Sequence, residues 1–134
     1  MRGVSVRPVQ TFTDPRGVLE KLHPEPVLGE VYLVRVAPGA SRGHHLHRRM
    51  GEWFTAISGR GVLGLFAPET GELEHLPLHG ARVYVPPGVA HALFAEVGDA
   101  PWVVLACAEG GHDPRTWSAW WCRGREVRGG DAEE

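Results

Sequence analysis

The segment GASRGHHLHRRMGEWFTAISG, Gly39 to Gly59, holds three histidines, three arginines and one acid before it turns apolar and ends on glycine. Such a set could serve as a basic loop, as a proton-transfer pair or as one half of a metal site. In an extended strand alternate side chains share a face. His45 and His47 then present their imidazoles to one side, and His44 and Leu46 point to the other. Glu52 follows a short turn, Arg48–Gly51, and opens the next apolar run, so an antiparallel return would bring it back to the pair. A distant segment, YVPPGVAHALF, supplies His91 after a tight Pro-Pro-Gly turn. Three neutral imidazoles and a carboxylate form a donor set for one divalent transition metal: Zn, Mn, Fe, Ni, Co or Cu. Proton transfer is the rival use. A metal-bound imidazole has lost the lone pair a general base needs, so His45 or His47 is the base only where no metal holds it.

These residues need a scaffold. At 134 residues the chain is expected to be one domain, 1–128, with a core that needs no disulfide staples and a frayed, disordered acidic tail, GGDAEE, at 129–134. A formal charge of −2 argues against a dedicated nucleic-acid binder. Cys107 and Cys122 lie in no metal-binding spacing and are expected to be ordinary thiols. No leader-like start and no apolar run of the roughly 20 residues that span a bilayer are evident, so a cytoplasmic protein without membrane partners is expected. The absence of asparagine, with one glutamine and one lysine, fits a thermophile. A GC-rich genome would give the same excess of Ala, Gly, Arg and Pro.

Short β-rich runs recur at Val4–Val6, Val18–Leu22, Val31–Val36, Trp53–Ile57, Val62–Phe66, Arg82–Val85, Ala92–Ala95 and Trp102–Ala106, punctuated by Gly and Pro. Many short strands at this spacing predict an all-β sandwich or barrel. APETGEL reads as a hairpin turn with Gly71 at positive φ. Towards the C-terminus, DPRTWSAWW places Trp117, Trp120 and Trp121 at i, i+3, i+4. That spacing predicts a short C-terminal helix or extension from Asp113-Pro114, packed on the domain or on a second subunit.

The spacings carry a resemblance. Gly39, five residues, His45, one, His47, four, Glu52, six, Gly59 matches the first cupin motif at every fixed position. Gly80, five, Pro86, one, Gly88, two, His91 matches the second, with Ala95 where the family has asparagine. The resemblance implies an antiparallel β-barrel or jelly roll, commonly a homodimer, with His45, His47, Glu52 and His91 as metal ligands. Three further segments narrow it. RGHHLH (Arg42–His47) looks like a segment of the cupins that act on nucleotide-linked 4-keto-6-deoxy sugars, the dTDP-4-dehydrorhamnose 3,5-epimerases and 3,4-ketoisomerases. FTDPRGVLEKL (Phe12–Leu22) is similar to their nucleotide-binding N-terminal strand. AEGGHDPRTW (Ala108–Trp117) resembles the end of the cupin domain in capsular-polysaccharide epimerase-reductases.

This resemblance implies an epimerase or isomerase that removes a proton next to a ketone. The chemistry needs a base, an acid on the opposite face and stabilisation of the enolate oxygen. His45 and His47 are the candidate bases. Tyr32 and Tyr84 are the two tyrosines available as acid, and Tyr84, two residues before Pro86, is the catalytic candidate. Arg16 and Arg42 are candidates to bind the substrate's diphosphate, because arginine's fork matches phosphate oxygens. The same ligand set would also suit a dioxygenase or decarboxylase, or a non-enzymatic cupin that binds a small molecule.

Overall fold

The computed structural model describes residues 1–111, 115–120 and 128–133, the last two segments as backbone only. The described residues form strands β1 (Ser5–Pro8), β2 (Gln10–Asp14), β3 (Gly17–Lys21), β4 (Val31–Val36), β5 (Ser41–Leu46), β6 (Glu52–Ser58) and β7 (Gly61–Ala67). They continue with β8 (Glu72–Pro77), β9 (Ala81–Val85), β10 (Ala90–Ala95), β11 (Trp102–Ala108), β12 (Arg115–Trp120) and β13 (Arg128–Glu133). No helix of the described residues is long and apolar enough to cross a membrane.

All the paired strands run antiparallel. One sheet has the order β1-β9-β6-β11-β4 and the other β13-β12-β5-β10-β7-β8, while β2 and β3 form a separate hairpin. The core lies between the two large sheets. Phe54, Val83, Val104 and Trp102 of the first sheet pack in one buried cluster with Leu63, Leu65 and Leu93 of the second. Alternation along the strands selects these residues, so the opposite face of each strand is left for other uses. This is the jelly-roll architecture expected from the motif spacing.

Four segments differ from the sequence reading. Gln10–Asp14 and Glu72–Pro77 are strands although their sequences, QTFTD and ELEHLP, are too polar to announce it. Both lie where water covers one side: β2 in the separate hairpin and β8 at a sheet edge. The expected C-terminal helix is replaced by an added hairpin, since Arg115–Trp120 is a strand paired with β5 and with β13. Spacing of the tryptophans is a local signal, and the open edge of β5 offers backbone partners that a lone helical turn lacks. Residues 129–133, expected to fray, stand in β13. Asp113, Pro114, Trp121 and Cys122 lie outside the described residues.

Candidate metal and proton-transfer site

The first motif is delivered by β5 and the turn after it. His45 sits directly opposite His91 of β10 in the ladder. The register slips just beyond this pair, because Gly43 and not His44 faces Ala92. Gly43 (φ 92°) and His44 (φ 63°) both take left-handed backbone there, forming a bulge that absorbs one extra residue. His44 turns away from the site. Its Nε2 lies 2.8 Å from Ser41 Oγ and its ring packs edge-on against Phe94, as its position in the strand predicts. The bulge also sets Arg42 opposite Leu93, a core residue, so Arg42 shares the His45 side of the sheet despite the odd spacing.

The second motif locks onto the first through one backbone bond. Gly88 N–H donates to the His47 carbonyl at 2.9 Å, in a turn where Gly88 takes φ 85°. A side chain at that φ would be strained, which is why this turn carries glycine. The result is a compact trio. One ligand atom each from His45, His47 and His91 lies within 4.8 Å of the others. The ring centroids are 4.8 Å apart for His45–His47 and 5.0 Å for His45–His91. Phe54 backs His91 with ring centroids 5.1 Å apart.

Glu52, only 1% exposed, opens β6 and completes the group. Its Oε1 lies 2.8 Å from His47 Nε2, and its Oε2 accepts a hydrogen bond from the Tyr32 hydroxyl at 2.7 Å. Burial opposes its ionisation, but the His47 and Tyr32 contacts and the nearby His91 outweigh that and hold its carboxyl at about 2. His91 is driven the other way, down to about 3, chiefly by burial and against the pull of Glu52. A carboxylate facing a neutral imidazole is the protonation state that ligands need. The buried Nδ1 and Nε2 of His47 and Oε1 of Glu52 have no hydrogen-bond partner of good geometry. Buried polar atoms seldom go unsatisfied, and a cation among them would supply the missing partner. The donor set therefore fits a divalent transition metal.

The other candidates are distributed differently. Tyr84 pairs with Trp53 across the β6–β9 ladder and so stands on the face opposite Glu52 and Phe54. Its hydroxyl donates to Glu109, whose carboxylate also accepts from the Gly51 N–H at 3.0 Å. Burial, then the Glu109 bond, raises the Tyr84 phenol to about 12. Tyr84 therefore braces the turn before Glu52, and the structure does not bring it to the histidines. Tyr32 holds the position at the site instead. Register decides this: Tyr32 and Val34 precede the core residue Val36 at alternate positions of β4 and so share its inner face. Arg16 lies at the tip of the β2–β3 hairpin, which is separate from the two large sheets, and is 90% exposed and paired with Asp14 at 2.6 Å.

Comparison with known proteins agrees with this geometry. The family model described as polysaccharide biosynthesis C-terminal domain matches residues 12–117. A glucose-6-phosphate isomerase of Pyrococcus horikoshii is 40% identical over 77 residues, 54% of this chain and 40% of its own. One from Thermococcus onnurineus is 32% identical over 127 residues, 76% of this chain and 66% of its own. The chain thus spans less than two thirds of these relatives. A dTDP sugar isomerase from Desulfovibrio desulfuricans superposes with a TM-score of 0.74 at 21% identity, over 84% of this chain and 80% of that one. A 3'-monoepimerase from Streptomyces bikiniensis, solved with dTDP-quinovose, gives 0.73 at 19% identity, over 84% and 66%. At such identities the likeness is one of fold. With both motifs converging in a jelly roll and the family model covering most of the chain, the protein is a cupin and belongs to the polysaccharide biosynthesis C-terminal domain family.

Proposed function

We propose that this cupin is an epimerase or isomerase of a nucleotide-linked 4-keto-6-deoxy sugar, working by proton transfer next to the ketone, with one divalent transition metal held by His45, His47, Glu52 and His91. The observation that carries this reading is the junction at Glu52, with His47 of the histidine trio on one carboxylate oxygen and the Tyr32 hydroxyl on the other. A metal bound there would supply Lewis-acid polarisation of a carbonyl oxygen. With His45 held as a ligand, Tyr32 is the chain's own group for moving the proton. The residue is 37% exposed, and Glu52 orients its hydroxyl. Where no metal is held, His45 or His47 takes the role of base and Tyr32 that of acid. Arg42 is exposed and makes no ion pair among the described residues, so its fork is available to a diphosphate. Arg16 could join it only by exchanging Asp14 for phosphate.

The test is solvent proton exchange. Incubated in D2O with a dTDP- or UDP-linked 4-keto-6-deoxy sugar, the protein should incorporate deuterium at the carbon beside the ketone. A protein that neither binds nor exchanges these sugars would overturn the reading. The archaeal relatives favour one alternative, aldose–ketose isomerisation of a sugar phosphate. Interconversion of glucose 6-phosphate and fructose 6-phosphate in the same assay would select it. We also propose a cytoplasmic homodimer. Exposed Phe12, Val18 and Leu19 on the hairpin and Val31 and Leu33 on β4 are the apolar surface it would cover, and light scattering would measure it.

A further inference from the structure

The outer face of the five-stranded sheet carries a second constellation that the histidine site does not use. Arg82 of β9 pairs in the ladder with Thr55 of β6 on one side and Arg7 of β1 on the other. Thr55 and Trp53 alternate with the inward Glu52 and Phe54, so this group faces away from the trio. Like charges directly opposite on neighbouring antiparallel strands repel. Arg82 is compensated: Glu25 accepts from its Nη1 at 2.7 Å and from its Nη2 in a closer contact. Its guanidinium also lies 3.8 Å over the Trp53 ring. The buried Nε of Arg82 nevertheless has no acceptor.

Arg7 is exposed and makes no ion pair among the described residues, and it feels the same Glu25 carboxylate only at longer range. Lys21 faces the same space from β3, opposite Gln10 in the hairpin. Together they line a groove of ≈ 520 Å³ walled by Arg7, Gln10, Lys21, Glu25, Trp53 and Arg82. That volume is within the range of small-molecule sites, roughly 300–1,000 Å³. Three cations meet one carboxylate there, and Glu25 is already shared between Arg82 and His23 Nδ1, 3.7 Å away. The groove has an excess of donors and of positive charge.

We propose that this groove is a second binding site, separate from the barrel interior, for a phosphate-bearing small molecule. Arg7 supplies a fork for two phosphate oxygens, Lys21 a point charge, and Gln10 an amide donor. Arg82, fixed by Glu25 and Trp53, forms the rigid floor. A monoanionic carboxylate would leave part of the charge uncompensated, whereas a phosphate dianion or a diphosphate matches it.

The proposal does not depend on the sugar-nucleotide reading, and its test is separate from turnover. Inorganic phosphate and pyrophosphate would be titrated into the wild-type protein, an Arg7→Gln/Lys21→Gln variant and an Arg42→Gln variant. Both substitutions in the first variant are at exposed positions, and a thermal melt matching wild type shows that the fold is kept. Binding is expected to weaken at least tenfold in the Arg7/Lys21 variant and to persist in the Arg42 variant. A salt titration of the wild type should weaken it further, since phosphate contacts by Arg and Lys are screened. Wild-type protein that binds neither anion, an Arg7/Lys21 variant that binds like wild type, or binding abolished by Arg42→Gln alone would each overturn the assignment.

Discussion

Glu52 and Arg82 stand on neighbouring strands, point to opposite sides of one sheet, and are both buried charges, 1% and 3% exposed. Their partners differ in kind. Glu52 is met by groups fixed in the barrel: Tyr32 on β4, His47 just after β5 and, at longer range, His91 on β10. Arg82 is met by Glu25, on the connection between β3 and β4, which is itself 42% exposed. That connection is tied down at Leu22, whose carbonyl accepts from Thr55 Oγ1 at 3.1 Å. One charge is thus held by framework strands beside the histidine trio. The other is held by a docked loop and secures that loop to the sheet. A buried charge by itself says little about function, and the origin of its partners separates the two cases.

The largest expected effect is on the framework side. His91→Ala should reduce bound metal, measured by elemental analysis, to background. It should also cut proton exchange by about 10²–10⁴-fold, the usual reach of a lost acid–base constellation. Substituting Glu25 should leave exchange intact and act on stability instead. Glu25→Gln leaves Arg82 without its anion and should cost about 1–3 kcal/mol in chemical unfolding, less than a fully buried pair because Glu25 is partly screened by water. Replacing both, Glu25→Gln with Arg82→Met, should recover part of that loss, and a double-mutant cycle with no coupling would break the distinction drawn here.

A smaller effect sharpens the contrast between the two tyrosines. Tyr32→Phe should slow exchange, whereas Tyr84→Phe should act mainly on stability, by about 0.5–1.5 kcal/mol for a lost hydrogen bond. The pH dependence of the Tyr84 term has a definite sign. The folded phenol lies at about 12, above its ordinary 10.0, so its contribution is present below 10 and is lost as pH rises through 12. The gap between wild type and Tyr84→Phe should therefore close over that window. If instead Tyr84→Phe abolishes exchange and Tyr32→Phe does not, the assignment of faces is wrong. The smallest expected effect concerns Cys107, buried in the same outer face, where desolvation raises the thiol. In a Cys122→Ser background it should resist thiol reagents at neutral pH until the protein is unfolded.

The spacing of His45, His47, Glu52 and His91 was legible because it is set by strand alternation and short turns, which are local. The choice between the tyrosines was not, because proximity to a motif in sequence does not decide the face of a strand; register does. Tyr84 is two residues from Pro86 yet lies outside, while Tyr32, far from both motifs, lies inside. The His44 bulge was hidden for a similar reason. A histidine with φ 63° is stabilised by its contacts with Ser41 and Phe94, which only tertiary structure supplies. The tryptophan spacing near the C-terminus misled because the decisive partner, the edge of β5, is remote in sequence.

The Gly88–His47 bond and the His45–His91 pairing also bear on the time at which the site comes into being. During synthesis the chain emerges with His45, His47 and Glu52 long before His91, and the long loop between Leu46 and Ala90 must close before β5 and β10 can meet. Such closure is entropically costly and slow compared with local turns. The nascent chain has no complete cage to offer an ion, so any metal loading would follow folding. A metal that then binds the finished cage draws the folding equilibrium towards itself by mass action, acting as a clasp on a barrel already closed.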